Sequence, residues 1–211
     1  MALSRAVKRK ENLASSDSKR DLIIAAARRV FESEGLEGAS LRGIAKEAGY
    51  TPAALYFHFD SKEALYAEIL AESLEALAKR VNAAFRSETD LENRLRRAAM
   101  AFYYFYSANP RDLDLGFYLF KGGMSPVGLG KERDNKLNDQ LWEALAPINQ
   151  AFLDLGQDED QAKALTAGTF AHTSGMLLLE HTGRMRLFDT TGELLMHSYL
   201  DNQLKLIAAK S

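Results

Sequence analysis

Apolar residues along the chain recur three and four positions apart, the spacing of helices that bury one face. Ile23, Ala26, Ala27, Val30 and Phe31 form the first such stripe. Their helix is expected from about Ser18 to Gly35, with Asp21 in the first turn, where the helix dipole favours an anion. Leu41, Ile44, Ala45 and Ala48 form the second stripe, behind Ser40 as a capping residue and ahead of Gly49. A third helix starts behind Thr51, with Pro52 at its first position, where a missing N–H costs nothing, and runs to about Phe59. Ser61 caps a fourth helix, which reaches to near residue 86. Two short helices joined by "AGYT" make a helix-turn-helix, and Gly49 suits the sharp turn because positive φ is cheap only for glycine.

The third helix carries more large rings than a short helix can hide. At 100° per residue Leu55 and Phe59 share the face that packs on Ile44 and the first helix. Ala53, Phe57 and, to one side, Tyr56 point away from it. Either the next helix covers these rings, or the face enters a DNA major groove. There a tyrosine hydroxyl donates to a phosphate and a ring meets a thymine methyl. His58 either joins the groove wall or satisfies a nearby carbonyl.

Beyond residue 86, Ser87 or Thr89 is placed to cap a helix containing "AAMAFYYFY", Ala98 to Tyr106, nine residues without charge. A helix apolar all round is buried all round. It is part of a thick helical core, or it lines a ligand cavity with tyrosine hydroxyls as polar handles. Phe102, Tyr103 and Tyr106 are the candidate lining residues, joined by Phe117 and Tyr118 from "DLGFYLF" and by His172 and Met176, which share a face. "KGGMSPVGLGKE", Lys121 to Glu132, is a loop that lacks P-loop spacing. A helix that Pro147 is able to kink follows, then a long helix with Ala164, Ala167, Gly168, Ala171 and Gly175 on one line. In the last helix Leu195, Tyr199, Asn202 and Leu206 align. No segment shows the alternation of a strand, so the fold class is all-α.

Composition narrows the chemistry. The 211 residues include no cysteine, which removes disulfides, thiolate metal sites and thiol redox switches together. The histidines lack metal-ligand spacing, no G-x-S-x-G nucleophile elbow occurs, and neither a metal, a cofactor nor an enzymatic activity is expected. No apolar run approaches a membrane span and the N-terminus has no signal-peptide core, so a soluble cytoplasmic protein is expected. The net charge of −2 hides an asymmetry: 11 Lys/Arg against 8 Asp/Glu up to Lys62, and 16 against 21 beyond it.

The stretch "SLRGIAKEAGYTPAALYFHFDSKEALYAEIL", Ser40 to Leu70, resembles the DNA-binding signature of the TetR/AcrR transcriptional regulators. The resemblance rests on Ala48-Gly49, Thr51, Leu55-Tyr56-Phe57-His58-Phe59 and Ser61-Lys62-Glu63-Ala64-Leu65, and covers roughly residues 18–70. It implies that Arg42 meets a base or phosphate and that Thr51, Pro52 and Ala53 open the recognition helix. It further implies that Tyr56 touches the backbone, Phe57 and His58 the groove wall, and Lys62 a phosphate. One departure is Ala54, where members often carry glycine; another is the apolar pair Pro52-Ala53, whose side chains donate no hydrogen bond to a base. The resemblance also implies an effector pocket in the C-terminal body and a four-helix dimer interface. The candidates for that interface are Ala164, Gly168, Ala171 and Gly175 with Leu195, Tyr199 and Leu206.

The expected organisation is a flexible arm over residues 1–17, a helix-turn-helix domain over 18–64, and a helical effector-binding and dimerisation domain over 65–211. The expected function is a homodimeric, sequence-specific repressor of transcription, released from operator DNA by a small apolar or aromatic effector. The alternative is an effector-independent DNA-binding protein with a filled core.

Overall fold

The computed structural model describes the backbone of residues 2–116 and 128–209, and the side chains of residues 19–116 and 128–209. Among the described residues the secondary structure is entirely helical: α1 (Ala2–Gly38), α2 (Leu41–Glu47), α3 (Pro52–His58), α4 (Lys62–Arg86), α5 (Leu91–Ala108), α6 (Pro110–Gly116), α7 (Lys131–Asp154), α8 (Glu159–His181) and α9 (Gly192–Ala208), with a 3₁₀ turn at Arg184–Leu187. The all-α expectation therefore holds.

Local chemistry explains most boundaries. Ser40 Oγ accepts from Gly43 N at 3.1 Å, Thr51 Oγ1 from Ala54 N at 3.3 Å and Ser61 Oγ from Ala64 N at 3.0 Å, so all three expected caps are made. Gly49 turns the chain at φ 73°, and Gly35 breaks α1 at φ 70°. Two expectations fail. The backbone is helical from Ala2, so residues 2–17 of the segment expected as a flexible arm over 1–17 belong to α1 instead. That segment holds mostly good helix formers and no glycine or proline, so it needs no apolar stripe to be helical. The cap of α5 is Asp90, whose carboxylate accepts from Asn93 N at 2.9 Å, rather than Ser87 or Thr89.

Packing divides the chain into two compact units: residues up to Leu70 together with the segment ending at Asp134, and residues 71–117 with 135–211. The division falls inside α4, not at residue 64, and assigns the start of α7 to the first unit. In that unit Ile23, Ala26, Ala27, Phe31, Ile44, Ala45 and Leu55 are buried. Phe31 meets Tyr66 edge-on at 4.9 Å, and Arg133 reaches Asp60 at 3.4 Å.

In the second unit α5 packs on α8 and α9, and α8 on α9, around Leu95, Phe102, Ile148, Phe152, Leu177 and Leu200. The inward face of α8 is Ala162, Thr166, Thr169, Thr173 and Leu177. Its three hydroxyls donate to the carbonyls of Ala162, Leu165 and Thr169 at 2.7–2.8 Å, which lets threonine sit in an apolar interior.

Candidate nucleic-acid interface and effector site

The recognition helix α3 is fixed by one fully buried side chain, Leu55, and by Phe59 at its C-terminal cap. Around these anchors the other residues face out. Thr51, Pro52 and Ala53 are exposed, Tyr56 is 56% exposed and Phe57 85% exposed. His58 is half-buried and meets the Phe57 ring edge-on at 5.4 Å. Among the described residues, nothing in the first unit buries the outward rings. Arg42 is exposed on α2, and so is Lys46, one turn further on. Sequence reasoning passed over Lys46, although its i+4 spacing from Arg42 puts both cations on one face.

Lys62 is different. Its ammonium donates to the carbonyls of Leu36 at 2.8 Å and Glu37 at 3.2 Å, at the end of α1. The resemblance implied a phosphate contact; the geometry turns the side chain back onto its own domain.

In the second unit the expected ligand-lining rings are buried. Phe102, Tyr103 and Tyr106 are each under 5% exposed. Phe102 meets Tyr106 at 5.3 Å and Phe170 at 5.9 Å, both edge-on. The Tyr103 hydroxyl donates to Glu180 Oε2 at 2.7 Å, and Ser107 Oγ donates to Glu180 Oε1 at 3.0 Å. Burial, reinforced by Glu180, pushes the Tyr103 phenol well above its ordinary value, so it stays a neutral donor. Tyr106 is pushed up too, by burial and by the charge of Asp112, and its carbonyl oxygen lies 3.0 Å from His181 Nε2. Glu180 is 77 residues from Tyr103, and no local signal could have paired them. Tyr103→Phe is accordingly expected to destabilise the protein by about 1.5–3 kcal/mol, the range for a hydrogen bond to a charged group. A thermal melt of the ligand-free protein checks this.

His172, expected with the ligand set, stacks on Tyr199, expected with the dimer set, with ring centroids 4.1 Å apart and planes within 12°. Burial lowers the His172 pKa, opposed by a hydrogen bond to the Leu195 backbone. Met176 is half-buried. Phe117 and Tyr118 lie outside the described residues.

The small-residue line of α8 faces away from the unit's own core. Ala164, Ala167, Gly168 and Ala171 are exposed, opposite the buried threonines, and Leu178 continues the line at 62% exposure. On Gly168 a Cβ would meet the Tyr199 hydroxyl at 3.3 Å; on half-buried Gly175 it would meet nothing within 4 Å. On α9 Leu195 and Tyr199 are half-buried and Leu206 is 57% exposed. No group of three or more His, Asp or Glu placed to hold a metal occurs among the described residues. None of their helices is long and apolar enough to cross a membrane.

Comparison with known proteins places the first unit. Residues 23–69 match the family described as bacterial regulatory proteins, tetR family. The chain is 37% identical over 97 residues to the HTH-type transcriptional activator FasR of Mycolicibacterium smegmatis, covering 46% of this chain and 44% of that protein. It is 33% identical over 94 residues to the nucleoid occlusion factor SlmA of Vibrio cholerae, covering 44% and 48%. The match thus spans about half the length of these relatives. Among solved structures, FadR of Bacillus subtilis in complex with stearoyl-CoA superposes with a TM-score of 0.66 at 17% identity, over 85% of this chain and 95% of that one, a likeness of fold. Residues 23–69 thus carry the signature of the tetR family of bacterial regulatory proteins, and the chain as a whole shares the fold of the solved structure it superposes on.

Proposed function

We propose that the chain is a homodimeric, sequence-specific transcriptional regulator, a repressor whose hold on operator DNA is released by a small, largely apolar effector. The observation that carries the DNA reading is the outward pair Tyr56 and Phe57 on a helix seated by fully buried Leu55. Large exposed rings on a small domain mark a contact surface, and Arg42 and Lys46 supply the neighbouring cations. Thr51, Pro52 and Ala53 enter the groove first, with His58 at its wall. Tyr56→Phe is expected to weaken binding to all duplexes alike, and Arg42→Ala to relax the preference for one of them. Unchanged duplex affinity in both variants, read by fluorescence anisotropy, would overturn the assignment.

The homodimer reading is supported by the exposed line Ala164, Ala167, Gly168, Ala171 and Leu178, with Leu206 on α9. Such a line lets a second helix approach closely, and one face meeting its own copy makes a two-fold dimer.

The effector reading is supported by three atoms. Among the described residues, the buried side-chain polar atoms without a hydrogen-bond partner are Ser73 Oγ, Gln140 Oε1 and His172 Nε2, all in the second unit. Ser73 has a physical reason to be unpaired. Its i−4 carbonyl, Ile69 O, takes the helical N–H and also accepts from Arg28 at 3.4 Å, which uses both lone pairs. Unpaired buried polar groups cost free energy, so a ligand that satisfies them gains affinity. Phe102 and Tyr106 are buried rings of the same unit, and the stearoyl-CoA of the FadR neighbour's complex makes an acyl chain a first probe. Palmitic acid is expected to raise the melting temperature of the dimer and to displace duplex DNA. Ser73→Ala should raise the ligand-free melting temperature, because it removes an unpaired hydroxyl, and should blunt the palmitate shift. A screen in which only charged, hydrophilic metabolites stabilise the protein would contradict this reading. The alternative is a DNA-binding protein without effector; no ligand would then release its DNA.

A further inference from the structure

From the geometry we infer that Lys62 is a positioning residue, which clamps the α1–α2 corner and so aims α2 at DNA, rather than a phosphate anchor. This rests on the DNA-binding reading above. The corner runs from Gly35 to Ser40. Gly35, at φ 70°, breaks the helix, and Ala39 N–H then donates to Gly35 O at 3.2 Å. A helix end leaves carbonyls without partners, and a cation suits them because the dipole is negative there. Lys62, the first residue of α4, fills that role from 25 and 26 residues away, gripping Glu37 O and Leu36 O.

The clamp is rigid at both ends. Ser61 caps the helix that carries Lys62, and Ala39 and Leu41, on either side of Ser40, are buried at 3% and 8% exposure. Ser40 is the N-cap of α2, and its hydroxyl accepts from Gly43 N–H. The orientation of α2 sets where exposed Arg42 and Lys46 point. Two of the three ammonium protons are committed inside the domain. A side chain so held would have to leave both carbonyls to serve a phosphate fully.

The test has an arm without DNA and an arm with it. In the free full-length protein, Lys62→Met should speed amide hydrogen exchange at Ala39 and Gly43 by about tenfold or more, the scale of a lost charge-assisted bond. Lys62→Arg, which keeps donors, should restore protection, and the amide of Leu95 in the second unit serves as control. With DNA, Lys62→Met should lower the ratio of operator to unrelated-duplex affinity several-fold while the salt slope keeps its wild-type value. A phosphate anchor behaves oppositely: both duplexes weaken alike and the slope falls by about 0.9. Wild-type exchange at Ala39 and Gly43 in Lys62→Met overturns the clamp, and so does a slope lowered by about one unit. If no duplex binds at all, the DNA reading fails while the exchange arm still decides the clamp.

Discussion

Leu55→Ala is expected to unseat the recognition helix and abolish DNA binding, whereas Phe57→Ala, two residues on, should abolish binding with the fold intact. Leu55 is wholly buried, and it is the only residue of seven-residue α3 that is. Truncating a buried leucine costs about 2–5 kcal/mol through lost transfer energy and the cavity left behind. A domain stabilised by about 5–15 kcal/mol has little reserve against that. α3 is too short to persist as a helix unaided. Phe57, by contrast, is 85% exposed, and substitutions at such sites stay within about 0.5 kcal/mol. Denaturant unfolding beside duplex titration separates the two variants. Equal stability loss in both would mean that Phe57 is covered in solution.

Ala171→Leu should split the dimer and take operator binding with it. Ala171 is exposed on the small-residue face of α8, and the neighbouring Gly175 leaves open space around a built Cβ. An exposed position tolerates a larger side chain within one chain, so the monomer's own stability should change by no more than about 0.5 kcal/mol. Across a close helix-helix contact the added atoms overpack, at about 1–3 kcal/mol per site, met twice in a two-fold interface. Gly168→Leu is a less clean probe, because the Tyr199 hydroxyl of the same chain lies 3.3 Å from a Cβ there. Sedimentation of intact Ala171→Leu dimers would move the interface elsewhere.

The parts of the fold set by neighbours in sequence were legible in it. Ser40, Thr51, Ser61, Gly35 and Gly49 each act within four residues of where they sit, so helix ends could be read from residue type. The 100° geometry of a helix likewise places Leu55 inward and Phe57 outward. What escaped depends on groups brought together over long separations. Lys62 reaches carbonyls of Leu36 and Glu37, and Tyr103 reaches Glu180, so a cation that looked free is held, and so is a hydroxyl that looked available. The inward threonines of α8 escaped for another reason: they pair with their own helix, so polarity misrepresents where they point. Helical backbone from Ala2 was missed because it rests on propensity, which leaves no hydrophobic pattern to find.

The central claim is that two copies of this chain present α3 to successive major grooves of one DNA site. Selection of bound duplexes from a random pool by the full-length protein tests it most directly. The account predicts an enriched, two-fold symmetric sequence whose half-sites are centred about 10 base pairs, or a multiple of one helical turn, apart, bound by a dimer. An enriched single half-site bound by monomers, or no enrichment over the starting pool, would contradict it.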